Sequence, residues 1–117
     1  MKEERISQRV DIELPARFSF QDRPNAWIEA DVINISTHGF CFRTGAKYTD
    51  SLSGKPVIHL GFALNEKENV SLNIQVVWAG RTGRDNCLVG GEVLSPSGPD
   101  YQKILEFYTR IFRERSK

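Results

Sequence analysis

Apolar residues alternate along most of the chain and then switch to a helical period near its end. Val10, Ile12, Leu14, Ala16, Phe18 and Phe20 fall on one side of an extended segment, with Asp11, Glu13, Arg17 and Ser19 on the other. A period of two is the mark of a half-buried strand. Pro15 has no N–H to give to a ladder, so this strand is expected at an edge or with a bulge. Further strands are predicted over 27–34, 39–44, 56–63, 70–79 and 87–94, parted by polar turns such as "QDRPNA", "NEKEN" and "GRTGRDN". The stretch from 45 to 54, rich in Gly, Ser and Asp, is expected to be a loop. Within 70–79, Val70, Leu72, Ile74, Val76 and Trp78 are predicted to share one face, and Gly90 and Gly91 mark a bulge or a close approach of backbones.

Beyond Ser97, Gly98 and Pro99 the apolar positions are Tyr101, Ile104, Leu105, Tyr108, Ile111 and Phe112, which predicts a helix over about 98–114. Pro99 suits the first helical position and Asp100 the first turn, with Ser97 or Gly98 as the cap. Phe107 lies at the edge of the stripe and is assigned to the core. Six short strands followed by one helix predict an all-β domain with a C-terminal α-helix: a six-stranded antiparallel barrel, the helix lying over the sheet or one mouth. The expected organisation is a polar, flexible segment over 1–9 and a barrel with its helix over 10–117.

Composition narrows the function classes. A length of 117 residues, 39% hydrophobic and 26% charged, suits one soluble domain that buries a core without staples. A net charge of +1 argues against a broad basic face, so no DNA or RNA is expected as a partner. No apolar run is long enough to span a membrane, and the charged start MKEERISQRVD does not read as a signal peptide. Cys41 and Cys87 lack metal-ligand spacing, and with no secretory signal they predict reduced thiols in the cytoplasm. His38 and His59 are the only histidines. Neither sits in a metal-binding pattern, and no nucleophile elbow or phosphate loop is present. The expectation is a protein that is not an enzyme and has neither metal nor cofactor.

Two stretches carry candidate binding chemistry. Arg5 and Arg9 are four apart, which puts them on one side whether the segment is helical or extended. Extended, their Cα atoms lie about 13 Å apart. Each guanidinium is a planar fork of donors that matches a phosphate or the O6/N7 edge of guanine. The second stretch is Asn34-Ile35-Ser36-Thr37-His38-Gly39 at the joint of the second and third strands. Asn34 both donates and accepts, Ser36 adds a hydroxyl, and Gly39 lets a ligand come close or lets the chain turn with φ > 0. Each stretch alone also fits a plainer role, as solvated arginines and as an Asx or Ser turn.

Taken together, an R-x-x-x-R pair before the first strand and an N-x-S-x-x-G joint between the second and third resemble the PilZ domain. The resemblance runs from Arg5 through the terminal helix and includes "CLVGGEV" as a glycine-bearing last strand. PilZ domains are bacterial receptors for cyclic di-GMP. The resemblance implies an arginine segment that swings over the ligand and a loop that holds it on the barrel's outer face. The corresponding residues are Arg5, Arg9, Asn34, Ser36 and Gly39, with Gly90 and Arg81 as secondary candidates. Glu4 departs from the pattern, because many members carry another arginine there. Its carboxylate opposes phosphate and bears on whether one ligand or a stacked pair binds. The expectation is a single-domain cytoplasmic receptor that binds cyclic di-GMP and signals through a partner protein. The alternative is a PilZ-like adaptor that binds a protein and no nucleotide.

Overall fold

The structure, a computed structural model, describes residues 9–115. Six strands occur, β1 (Val10–Phe20), β2 (Ile28–Ile35), β3 (Gly39–Gly45), β4 (Val57–Ala63), β5 (Asn69–Thr82) and β6 (Asn86–Val93). They close into an antiparallel barrel in the order β1-β2-β3-β6-β5-β4. β1 pairs with both β2 and β4, so the strand with the proline has no free edge. Pro15 is accommodated otherwise. The register shifts between Asp11 and Leu14, and the ladder to β4 begins only at Ala16. Closure satisfies backbone groups that an open sheet would leave as an aggregation-prone edge.

Alternation sends Phe18, Val32, Phe42, Ile58, Leu60, Ile74 and Val89 inward, each fully buried. The rings of Phe18 and Phe42 meet with centroids 5.5 Å apart, and Phe40 meets Phe62 edge-on at 5.4 Å. The stretch from 45 to 54 is not the expected loop. Ala46–Tyr48 form a 3-10 turn and Thr49–Ser53 a short helix, α1, which inserts Leu52 into the core. Five residues are too few to display a helical period. Their Ser and Asp content therefore reads as loop, and only the buried Leu52 reveals the element's purpose.

The second helix, α2 (Pro99–Arg115), buries Ile104, Phe107 and Tyr108, which confirms Phe107 as core. Gly98 is its cap: it adopts φ +96°, and its carbonyl accepts from the Gln102 N–H at 3.0 Å. Polar contacts fix the helix at both ends. An Asp100 carboxylate oxygen accepts from the Ser71 N–H at 3.0 Å, the Tyr101 hydroxyl donates to the Thr37 carbonyl at 3.0 Å, and the Arg115 guanidinium donates to the Asp11 carbonyl. Among the described residues, no helix is long and apolar enough to cross a membrane.

Candidate functional site

Strand register draws a line of residues across the outer face of the barrel. Asp11 of β1 is opposite Asn34 of β2, Asn34 is opposite Cys41 of β3, Cys41 opposite Gly90 of β6, and Gly90 opposite Trp78 of β5. With about 4.8 Å between strands, the backbone from Asn34 to Trp78 spans about 14 Å. The outward direction follows from the neighbours. Phe40 and Phe42 flank Cys41 and point into the core. A side chain on Gly91 would strike Ile74 of the core, its Cβ 2.3 Å from the Ile74 Cγ2, so Gly90 and Glu92 on either side face out.

Trp78 joins this face through a bulge. The β5–β6 register slips between Val76 and Trp78, leaving Val77 as the extra residue. The predicted common face of Val70 to Trp78 therefore ends at Val76, which is buried, and Trp78 is turned out with 40% of its surface exposed. Its indole lies on Gly90. A Cβ at Gly90 would stand 2.2 Å from the Trp78 Nε1. Strict alternation concealed this residue; the glycine pair in "LVGGE" was the signal that something packs closely there.

At one end of the line the turn between β2 and β3 is closed by Ser36. Its N–H donates to the Gly39 carbonyl at 3.0 Å, and its Oγ accepts from the His38 and Gly39 N–H groups at 3.3 Å each. The serine thus shapes the turn, as the plainer reading of the motif held. Gly39 does not have a positive φ. It is needed because its backbone runs against β6, where a Cβ would lie 2.1 Å from the Gly91 carbonyl oxygen.

Arg9 stands over this face. A groove of about 190 Å³ brings it together with Asn34, Ser36, Gly39, Trp78 and Gly90. Burial pushes the Cys41 thiol above its ordinary value, and the positive charge of Arg9 draws it partly back. Glu92 lines the same groove. Of the residues singled out in the sequence, Arg9, Asn34, Ser36, Gly39 and Gly90 therefore converge. Arg81 does not. It lies farther along β5 opposite Cys87 and donates to the Arg84 carbonyl at 2.9 Å within its own hairpin. Arg5 lies outside the described residues.

A larger, shallow hollow of about 820 Å³ covers the outer faces of β1, β2 and β4. It contains none of the motif residues. Several of its charged groups are engaged: Arg43 bonds Glu13 at 3.0 Å and Asp31 at 3.3 Å, Arg17 lies over the Trp27 ring, and Asp100 accepts from the Ser71 N–H. The smaller groove holds a guanidinium with no ion pair among the described residues, an amide and a partly exposed indole, and is the better candidate. No group of three or more metal-ligating side chains occurs among the described residues.

Residues 2–110 match the profile of the family described as PilZ domain. Among solved structures, the chain is similar to the inhibitor of motility MotI/DgrA of Bacillus subtilis, at 18% identity and a TM-score of 0.74. That match covers 95% of this chain and 51% of the other, so the chain spans about half the length of that relative. It is also similar to the PilZ domain of CeSA from a cellulose-synthesizing bacterium, at 15% identity and a TM-score of 0.58, covering 93% of this chain and 99% of the other. At such identities the likeness is one of fold. No curated protein sequence matches. With the family profile accounting for nearly its whole length and the barrel repeating the fold of PilZ proteins, the chain belongs to the PilZ domain family, whose members are cyclic di-GMP receptors and adaptors rather than enzymes.

Proposed function

We propose that this protein is a cytoplasmic bacterial receptor that binds cyclic di-GMP in the groove under Arg9 and signals through a partner protein. The observation that carries the reading is the convergence of Arg9 with Asn34, Ser36 and Gly39 in one groove, from segments far apart in the chain. Cyclic di-GMP offers two phosphates and two guanines. The Arg9 fork suits a phosphate or the guanine O6/N7 edge, and Arg5 supplies the second guanidinium four residues away. Asn34 matches polar atoms on a base edge. Trp78 presents an open indole face, and a base stacked on such a ring gains about 1–3 kcal/mol. Ser36 and Gly39 act by holding the loop and letting β3 approach β6. Glu4 next to the arginine pair opposes additional phosphate and favours one ligand over a stacked pair. No cofactor is required.

Output is proposed to pass through α2, because Tyr101 ties this helix to the ligand loop at Thr37. The test is calorimetric titration with cyclic di-GMP alongside thermal unfolding. At a hundred times its dissociation constant the ligand stabilises the fold by about 2.7 kcal/mol, which for a domain of this size raises Tm by about 10 °C. Arg9→Ala is expected to abolish both signals. An unchanged Tm at saturating ligand, with a protein partner still bound, would instead leave an adaptor that takes no nucleotide.

A further inference from the structure

Glu92 is a negative charge in a groove proposed to hold a dianion. It faces outward beside Gly90, lies opposite Gly39 of β3 and Gln75 of β5, and lines the groove with Arg9 and Asn34. It is exposed, and among the described residues its carboxylate takes part in no hydrogen bond or ion pair. A carboxylate in that place weakens phosphate binding unless it meets donors on the ligand.

Guanine has such donors. Its Watson–Crick edge presents N1–H and the N2 amino group side by side, a pair that matches the two oxygens of one carboxylate in charge-assisted bonds. Adenine presents an unprotonated N1 at the same place, which would confront the carboxylate lone pairs. Asn34 cannot make this distinction alone. Its amide both donates and accepts, and rotation suits it to either base. Glu92 accepts only. It also stands two strand positions from Gly90, about 7 Å along the strand, and so beside the indole that lies on that glycine. A base stacked on Trp78 has its edge within reach of a side chain as long as glutamate.

Resting on the receptor reading above, we infer that Glu92 is the specificity-determining residue of the groove, accepting from the Watson–Crick edge of one guanine and rejecting adenine. A pair of this kind discriminates by about 10- to 100-fold.

The experiment is titration of wild-type protein and Glu92→Gln with cyclic di-GMP and cyclic di-AMP, with unfolding curves to check that the exposed, isosteric change leaves the fold intact. Wild type is expected to prefer cyclic di-GMP. The variant is expected to bind it about tenfold more weakly and to lose most of the preference. If Glu92 is only a charge facing phosphate, Glu92→Gln binds both dinucleotides more tightly and the inference is overturned; unchanged affinities overturn it as well. A wild-type protein that binds neither dinucleotide refutes the receptor reading itself, a result separate from any behaviour of the variant.

Discussion

The indole of Trp78 lies against the backbone of Gly90, so close that a Cβ there would lie 2.2 Å from Nε1 and 2.4 Å from Cε2. Only glycine permits that contact. Gly90→Ala therefore lifts the ring off the sheet. Because the obstacle is a partly exposed side chain free to swing away, the change in stability is expected to be at most about 1 kcal/mol. Ligand binding is where the loss should appear, about 10- to 100-fold if a guanine stacks on that ring. Titration of Gly90→Ala, with indole emission followed in a Trp27→Phe background, checks both parts. Unaltered affinity with a displaced ring would remove Trp78 from the site.

Gly39 poses a different obstacle. Here the added Cβ would meet the Gly91 carbonyl oxygen at 2.1 Å, and backbone cannot step aside as a side chain can. β3 and β6 would have to part at the ladder that holds the turn from Ser36 to Gly39. Gly39→Ala is expected to destabilise the fold by about 1–3 kcal/mol or more, read as a lower urea midpoint at unchanged m-value. Gly80→Ala is the control. Nothing lies within 4 Å of its Cβ position and its φ is not positive, so its stability should stay within about 0.5 kcal/mol of wild type. Equal behaviour of the two variants would mean that the close approach of β3 to β6 does not matter.

Strand positions were legible because a closed barrel obeys one rule: alternate residues fill the inside. β1, β4 and β5 up to Val76 follow from that rule, α2 follows from the change of period after Pro99, and the remaining strands are set off by the turns between them. The groove was legible only in part. Arg9, Asn34, Ser36 and Gly39 stand out because their residue types and spacings are uncommon together. Trp78 was hidden because a bulge is a register event between two strands, which one strand's pattern does not display. Glu92 was hidden because an exposed glutamate on a strand resembles any solvated charge until the register sets it beside Gly39. α1 was missed for its shortness. Arg81 was drawn in by charge alone, and the hairpin keeps it apart.

Two buried groups are expected to erode stability at alkaline pH. Burial raises the Cys41 thiol above its ordinary 9.0, Arg9 offsetting part of this, and raises Tyr108 above its ordinary 10.0. A raised value means that the folded state holds its proton more firmly than the unfolded chain does. The resulting stability is complete below the unfolded value and is lost as pH climbs through the folded one. The urea midpoint is therefore expected to stay level from neutral pH to about 9 and to fall above it. Cys41→Ala should postpone the onset toward 10, where Tyr108 takes over. An onset that does not move would show that the thiol keeps the same affinity for its proton in both states.

The Tyr101 hydroxyl bridges α2 and the turn that follows Asn34 by donating to the Thr37 carbonyl, across 64 positions of sequence. Asp100, the preceding residue, is held by Ser71 of β5, so the first turn of α2 is clamped between the β2–β3 turn and the barrel wall. Any ligand that shifts Ser36 to Gly39 must carry Thr37 with it, and the helix must follow or release its bond. Tyr101→Phe removes the donor and leaves the ring in place. Its cost in stability should be about 1 kcal/mol. Affinity for cyclic di-GMP should change by less than about threefold, since Tyr101 does not line the groove. Amide hydrogen exchange separates coupling from mere support. In wild type, ligand is expected to alter exchange in the first turns of α2, and in Tyr101→Phe that response should vanish while the loop itself still responds. If the helix reports the ligand equally well without the hydroxyl, the message travels by another route, and the Arg115 contact to Asp11, next to the strand entry below Arg9, becomes the bond to break.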